Sequence, residues 1–233
     1  MKILLTNDDG IAAPGLRALR ESVEAAGELV VVAPKDAASG ASHRVTTGES
    51  FGVRQIEKNC FAVEGTPADC VRVALHRFGG EIGWVLAGIN NGGNLGVDVY
   101  HSGTVAAVRE AVLRGVPGIA VSYYRDRLLD EDDWNRAVRW ARPVLLDLLG
   151  RRWREHTFWN VNLPRPGAAD DPPGVGYCRL DPSPLPLSYC DDGGRMRYNA
   201  AYHSRPRAEG ADVHICFGGK ITVTEVTVME SSR

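Results

Sequence analysis

Short runs of apolar residues recur along the chain, and each run stops at a polar or glycine-rich loop. The first run, Ile3-Leu4-Leu5, is too short for a helix and is typical of a strand buried on both faces. Similar runs at residues 29–33, 84–87, 118–122 and 158–163 alternate with segments of helical periodicity. This alternation predicts a doubly wound α/β fold in three layers, with a mostly parallel sheet between two layers of helices.

The last third of the chain has a different character. Residues 164–210 hold much of the proline, several glycines and scattered charge, which is typical of loops and extended hairpins. Apolar and polar residues alternate again over 218–229, which predicts a terminal strand. We therefore expect residues 1–163 to form the core of the molecule and residues 164–233 to form an extended tail that packs on it.

Composition restricts the classes of partner. The formal net charge of −2 argues against electrostatic binding to a nucleic-acid duplex, which needs a clustered basic surface. No apolar segment is long enough to span a bilayer, and the amino terminus lacks a signal-peptide pattern. The five cysteines are widely spaced without a C-x-x-C pair, so a zinc site on Cys178, Cys190 and Cys216 is disfavoured. We expect a cytoplasmic protein with reduced thiols that binds neither membrane nor duplex.

Two adjacent carboxylates, Asp8 and Asp9, follow the first predicted strand. Ligands of parallel α/β sheets bind beyond the carboxyl ends of the strands, which is where this pair is expected. Adjacent carboxylates repel each other unless a cation or a shared proton relieves the repulsion. The loops after two other strands contribute Ser39 and Asn90. Such oxygens suit Mg²⁺, Mn²⁺ or Ca²⁺, although Asn-Asp-Asp-Gly is also ordinary turn chemistry.

Two segments on the same predicted edge have the features of a phosphate cradle. The loop over 90–96, which contains Asn94, is rich in glycine, so its backbone N–H groups can approach an anion closely. Ser102-Gly103-Thr104 opens a predicted helix and offers two hydroxyls together with the positive end of the helix dipole. The alternative reading makes Ser102 an ordinary helix cap and the asparagines turn formers. A metal site beside a phosphate cradle is a stronger hypothesis than either part alone.

Six motifs occur in order along residues 1–125, at residues 3–11, 32–34, 65–70, 88–90, 93–96 and 101–106. Together they resemble the motifs of the survival protein E (SurE) nucleotidase family. The resemblance implies a Rossmann-like core, a carboxyl-terminal β-hairpin used in oligomerisation, and metal-dependent hydrolysis of nucleoside monophosphates. It implies one divalent metal ion, and its ligands would be Asp8, Asp9, Ser39 and Asn90. It also implies a phosphate pocket, whose lining residues would be Asn94, Ser102, Gly103 and Thr104.

The tail departs from the family pattern in one stretch. Residues 180–208 lack the aromatic, tryptophan-bearing segment expected there, whereas residues 209–212 and 220–224 do resemble the family's ending. The terminal strand would leave an apolar face and an open edge, and open edges normally pair with another strand. The resemblance makes that partner another subunit, so we expect a homo-oligomer, either a dimer or a tetramer, with residues 164–233 at the contact.

The resulting hypothesis is a 5′/3′-nucleotidase that releases nucleoside and inorganic phosphate, with Asp8 and Asp9 as the catalytic residues. Metal-activated water is favoured over an Asp nucleophile. The best-known aspartyl phosphatases have one residue between their two Asp residues (Asp-x-Asp), whereas Asp8 and Asp9 are adjacent. An exopolyphosphatase or a broad phosphomonoesterase would use the same site. A non-catalytic nucleotide-binding or receiver module is a further alternative. A phosphorylation receiver would need an Asp after the third predicted strand and a Lys near a later strand. It is disfavoured because Asn90 follows the strand at 84–87 and no Lys occurs between Lys58 and Lys220.

Two histidines adjoin the predicted site loops. His43 follows the Ser39 loop and His101 precedes Ser102, so either imidazole could hydrogen-bond a phosphate or a leaving group. A surface or packing role is the alternative for both residues.

Overall fold

The computed structural model describes residues 1–166 and 171–229, and most of its strands belong to one nine-stranded sheet. The first part of the chain supplies β1 (Lys2–Thr6), β2 (Glu28–Pro34), β3 (Val53–Glu57), β4 (Cys60–Val63), β5 (Ile82–Asn90), β6 (Gly118–Tyr123) and β7 (Thr157–Leu163). The last part supplies β8 (Val175–Tyr177), β9 (Tyr189–Asp191), β10 (Met196–Tyr198) and β11 (Ile221–Thr227). The helices are α1 (Pro14–Val23), α2 (Pro67–Phe78), α3 (Gly103–Leu113), α4 (Glu131–Leu149) and α5 (Asp212–Phe217).

The main sheet has the strand order β3-β4-β2-β1-β5-β6-β7-β11-β8. The six central strands, β4-β2-β1-β5-β6-β7, are parallel to one another. The main sheet also has two antiparallel pairs, β3 beside β4 and β11 beside β7. The predicted mostly parallel α/β sheet is therefore confirmed, and β1 lies near its centre.

Helices cover both faces of this sheet. Leu5 and Leu86 pack under α1 and α4 on one face, whereas their neighbours Leu4 and Val85 pack under α2 and α3 on the other. All four side chains are fully buried. Because successive side chains of a strand point to opposite faces, burial on both faces requires continuous apolar runs. The run at residues 3–5 has this cause.

Helix α2 begins as its sequence predicts. Thr66 accepts a hydrogen bond from the Asp69 N–H at 3.2 Å, and the Asp69 carboxylate accepts one from the Thr66 N–H at 3.0 Å. Pro67 occupies the first helical position, where its missing N–H costs nothing. This capping box fixes the point at which the chain leaves β4 and enters the helix.

The carboxyl-terminal part of the chain divides between two sheets. Strand β11 pairs with β7 on one side and with β8 on the other, so both of its edges have partners within the chain. The expected domain boundary at residue 163 thus falls within the main sheet. Residues 167–170 and 230–233 of the predicted tail lie outside the described residues. Helix α5, which precedes β11, was not predicted.

Strands β9 and β10 form a separate two-stranded hairpin. Its large side chains are exposed, including Tyr189, Met196 and Tyr198, and Leu187 just before it is 90% exposed. An isolated hairpin of this size is marginally stable in water unless something covers it. In the described part of the chain, no helix has the length and apolar character needed to cross a membrane.

Candidate active site

Hydrogen bonds hold together the loops that follow β1, β2 and β5. The Ala38 N–H, next to Ser39, donates to the Asp8 carbonyl at 2.7 Å. The Asn91 N–H, next to Asn90, donates to Asp9 Oδ2 at 3.1 Å. These strands are neighbours in the sheet and end at the same edge. The structure therefore brings the loops that carry all four predicted metal ligands to one place.

Asp8 is packed against the first turn of α3. The Thr104 hydroxyl donates a hydrogen bond to Asp8 Oδ1, and only 6% of Asp8 is exposed. A Cβ atom on Gly103 would lie 3.0 Å from both Cβ and Oδ2 of Asp8. The absence of a Cβ atom at Gly103 thus lets α3 approach this carboxylate closely.

Burial makes it costly to ionise the acidic pair. Desolvation raises the pKa of Asp8 to about 6, the repulsion from Asp9 adds to the rise, and the hydrogen bond from Thr104 opposes it. Desolvation also raises the pKa of Asp9, against a smaller lowering by the Asn91 N–H and by Arg125. A cation beside the two carboxylates would relieve both penalties, since it favours the charged form.

The acidic pair and its neighbours have the donor chemistry of a hard-cation site. Ser39 is exposed in the loop after β2. Asn90 donates its side-chain N–H to the Gly92 carbonyl at 2.8 Å, so its amide oxygen is the atom that a cation would contact. Among the described residues, no three His, Cys, Asp or Glu side chains form a metal cluster. Two carboxylates with hydroxyl and amide oxygens fit Mg²⁺, Mn²⁺ or Ca²⁺, which accept oxygen ligands and water.

Ser102 caps α3, which is the alternative role that its sequence position allows. Its hydroxyl accepts a hydrogen bond from the Val105 N–H at 3.1 Å, and its own N–H donates to the Asp98 carbonyl at 3.0 Å. A capping hydroxyl remains at the positive end of the helix dipole, where an anion is stabilised. Capping and phosphate binding are therefore compatible roles for Ser102.

Asn94 belongs to a buried amide network that sequence reasoning missed. Its N–H donates to Asn162 Oδ1 and its side-chain N–H donates to Ser122 Oγ, both at 2.8 Å. Its carbonyl accepts side-chain N–H groups of Asn160 at 2.8 Å and Asn162 at 3.1 Å. The sequence signal for this network was the presence of polar residues inside apolar strands, at 122 in β6 and at 160 and 162 in β7. The network fixes the loop over 90–96 to the sheet.

Other polar side chains near the site have structural partners. His43 Nε2 lies 3.0 Å from Glu110 Oε2 on α3, and Glu110 also binds Arg72 and Arg114 at 3.0 Å each. This favours the packing role for His43, whereas His101 is exposed. Arg125, which sequence reasoning missed, donates from Nε to the Asn91 carbonyl at 3.2 Å.

Comparisons with known proteins agree with this architecture. The family described as Survival protein SurE matches residues 3–183. A protein of Nostoc sp. (strain PCC 7120) whose name contains the term 5′-nucleotidase is 44% identical over 228 residues, which cover 98% of this chain and 100% of the relative. The 5′-nucleotidase SurE of Geobacter sulfurreducens is 36% identical over 229 residues, covering 96% of this chain and 87% of the relative.

A solved structure gives the same result. The crystal structure of the SurE protein from Aquifex aeolicus matches with a TM-score of 0.85 at 30% sequence identity. The match covers 99% of this chain and 95% of that one. The likeness thus extends through α5, β8 and β11, beyond the stretch that the family motifs occupy. In sequence and in fold, the chain belongs to the SurE family.

Proposed function

We propose that the chain is a divalent-metal-dependent 5′-nucleotidase that hydrolyses nucleoside monophosphates to nucleoside and inorganic phosphate. The observation that carries the proposal is the contact between the Asp8–Asp9 pair and the amino terminus of α3. A cation held by the carboxylates and a phosphate held by the helix terminus would be immediate neighbours. The relatives that are named 5′-nucleotidase support this substrate class.

Asp8, Asp9, Ser39 and Asn90 would hold one divalent ion, Mg²⁺ or Mn²⁺, with Ca²⁺ as a third choice. When bound, such an ion polarises a phosphoryl oxygen and lowers the pKa of a coordinated water. Four protein ligands would leave room on such an ion for water and for a substrate oxygen, as a catalytic site requires.

The chain's own groups would bind and orient the phosphate. The start of α3, Ser102-Gly103-Thr104, would offer the Ser102 hydroxyl and backbone N–H donors to the equatorial oxygens, where charge is spread in the transition state. The loop around Asn94 would close the pocket from the side of β5. Both parts are fixed before substrate arrives, Thr104 by Asp8 and Asn94 by the strands β6 and β7.

Water is the nucleophile in this proposal. Asp8 lies against α3 with Oδ1 occupied by the Thr104 hydroxyl, and Asp9 accepts the Asn91 N–H. These hydrogen bonds hold both carboxylates in place, which favours a role as metal ligands over a role as nucleophile. Their adjacency also differs from the spacing of phosphorylated Asp pairs, in which one residue separates the two.

We further propose that the chain forms a homo-oligomer in the cytoplasm. The hairpin of β9 and β10 presents exposed Tyr189, Met196 and Tyr198, and a second subunit would cover them. The five cysteines are free, as is usual where thiols are kept reduced. The partners are then small phosphomonoesters and further copies of the chain, with no membrane or nucleic-acid duplex.

Release of inorganic phosphate tests the proposed activity. Nucleoside 5′- and 3′-monophosphates, polyphosphate and an aryl phosphate are offered in turn, with Mg²⁺, Mn²⁺, Ca²⁺ or a chelator. Nucleoside monophosphates should be hydrolysed fastest, and the chelator should stop the reaction. Faster release from polyphosphate would indicate an exopolyphosphatase instead. Nucleotide binding without release under any of the metals would indicate a non-catalytic module.

A further inference from the structure

The segment between Asn94 and α3 begins with a turn over residues 95–98, and side chains from the carboxyl-terminal part of the chain contact this turn. The Gly96 N–H donates to Asp212 Oδ2 at 2.7 Å. Arg205 Nη1 donates to Asp98 Oδ2 at 2.7 Å and to the Leu95 carbonyl at 3.4 Å. These contacts join residues that are more than 100 positions apart in sequence.

Gly96 in this turn packs closely against the backbone of Asp181. A Cβ atom on Gly96 would lie 2.7 Å from the Asp181 carbonyl oxygen, and the φ angle of Gly96 is +55°. Asp181 is itself fixed, because its N–H donates to Asp212 Oδ1 at 2.8 Å. The carboxyl-terminal segments therefore hold the turn from two directions, Arg205 through its side chain and Asp181 through its backbone.

Asp98 connects Arg205 to the proposed phosphate pocket. Its carboxylate accepts hydrogen bonds from Arg205, from the Tyr202 hydroxyl at 2.6 Å and from the Leu95 N–H at 3.2 Å. Its backbone carbonyl accepts the N–H of Ser102 at 3.0 Å. One residue thus contacts Arg205 with its side chain and the cap of α3 with its backbone.

Arg205 is an unusual residue to bury for stability alone. Its side chain is 0% exposed, and its Nε and Nη2 atoms have no hydrogen-bond partner in the described part of the chain. Burying an arginine with unpartnered donors is unfavourable, and an apolar side chain of similar size often fills such a place as well or better. What an apolar side chain cannot do is orient Asp98.

We propose that Arg205 is a positioning residue for phosphate binding: through Asp98 it fixes the turn over 95–98, and with it Asn94 and the Ser102 cap of α3. Arg205 itself touches no substrate. The inference rests on the proposed function, and it gives the carboxyl-terminal part of the chain a role in the site besides any subunit contact.

Three variants test the role. Arg205→Met keeps the length of the side chain and removes its charge, Arg205→Lys keeps one charge, and Arg207→Met alters an exposed arginine two residues away. Misplacement of the pocket should lower kcat/KM for nucleoside monophosphate roughly ten- to hundred-fold in Arg205→Met. We expect kcat to fall more than KM rises, partial recovery in Arg205→Lys, and parental values in Arg207→Met.

Amide hydrogen exchange of the metal-free protein gives a second readout that does not depend on activity. In Arg205→Met, exchange over residues 94–104 should accelerate while exchange in β1 and β5 stays at the parental rate. Asp98→Asn breaks the same ion pair from the other side and should show the same local pattern. If Arg205→Met fails to fold, the exchange pattern of Asp98→Asn decides whether the ion pair between residues 98 and 205 fixes the turn.

The outcomes separate the two proposals. Parental kcat/KM together with parental exchange over 94–104 in Arg205→Met would overturn the positioning role and leave the nucleotidase proposal intact. An inactive parent would overturn the nucleotidase proposal, and the exchange data would still decide whether Arg205 holds the turn. Uniformly faster exchange throughout the sheet would mean that Arg205 only stabilises the fold, which also overturns the inference.

Discussion

The hydroxyl of Thr104 donates a hydrogen bond to Oδ1 of Asp8, and this contact joins the two halves of the candidate site. Asp8 belongs to the loop after β1, where a cation is proposed to bind. Thr104 lies in the first turn of α3, where the phosphate is proposed to bind. A change on either side therefore affects the other, so metal binding and catalysis have to be measured separately in each variant.

Asp8→Asn and Asp9→Asn should each nearly abolish phosphate release while the fold remains intact. Each substitution removes one anionic ligand and leaves the size of the side chain unchanged. Phosphate release and calorimetric titration with Mn²⁺ measure the two effects. Asp132→Asn, an exposed carboxylate in the first turn of α4, is the matched control and should behave as the parent. Parental activity of either site variant in the presence of chelator would contradict the metal proposal.

The stability of the metal-free protein should fall as pH rises through the acidic range, in part because of Asp8. Its pKa is raised from 3.8 to about 6 in the folded state, so between these values the folded protein binds more protons than the unfolded one. The free energy of unfolding should decrease across this window by about 3 kcal/mol from Asp8 alone. Asp8→Asn lacks the titrating group and should lack this contribution.

Denaturant unfolding in chelator, from pH 4 to pH 7, measures the difference between parent and Asp8→Asn. The comparison is needed because other carboxyls act in the opposite direction: hydrogen bonds and ion pairs lower the pKa of Asp133 and of Glu110 despite their burial. Relative to Asp8→Asn, the parent should lose stability as pH rises. Parallel curves would mean that Asp8 titrates normally in the folded protein.

Ser102→Asp separates helix capping from phosphate binding. Asp is as good a cap as Ser, so the thermal stability should be kept, but its charge would repel the phosphate and activity should be lost. Ser102→Ala should lower kcat/KM roughly ten- to hundred-fold, which is the loss expected for a charge-assisted hydrogen bond. Full activity in Ser102→Asp would show that the residue only caps α3.

Gly103→Ala should displace Asp8 and lower activity without loss of any functional group. The added Cβ atom would lie 3.0 Å from Cβ and Oδ2 of Asp8, closer than ordinary van der Waals contact. We expect weaker metal binding together with reduced kcat. Gly80→Ala, where a Cβ atom would meet nothing within 4 Å, is the matched control. Equal metal affinity in both variants would mean that α3 shifts to accommodate the methyl group.

Deletion of the hairpin tests the proposed subunit contact. The N–H of Asn199 donates to the Ser188 carbonyl at 3.0 Å, so removing residues 189–198 joins two points that already touch. Light scattering should show a homo-oligomer for the parent and a monomer for the deletion variant, with all proposed metal ligands retained. Truncation after residue 163 is a poorer test because it also removes β11 from the edge of β7. An unchanged mass of the deletion variant would place the contact elsewhere.

Local signals explain what sequence reasoning predicted of the fold. Buried strands such as residues 3–5 show as continuous apolar runs, and the start of α2 shows as Thr66, Pro67 and Asp69 in the right order. No local sequence signal shows that β11 lies between β7 and β8 in the sheet. Its alternation predicted a strand, but pairing of Thr222 with Asn162 depends on contacts far apart in sequence. Helix α5 has only six residues, too few for a periodic pattern.

The same distinction holds for the site. Asp8, Asp9 and Ser102 stand at element ends, so their position relative to the sheet edge follows from the order of strands and helices. Asn160 and Asn162 were missed because their role depends on the fold bringing β7 beneath the loop over 90–96. Arg205 was missed for the same reason, since nothing near it in sequence points to Asp98.

The position of β11 between β7 and β8 has a consequence for how the molecule is made. Strand β11 follows the other strands of the main sheet in the chain, so a growing polypeptide cannot complete that sheet before residues 221–227 have left the ribosome. Until Arg205 and Asp212 have also emerged, the turn over 95–98 lacks its partners. A growing polypeptide that stops short of Arg205 would thus carry every proposed metal ligand and still lack the contacts that hold this turn in the folded protein.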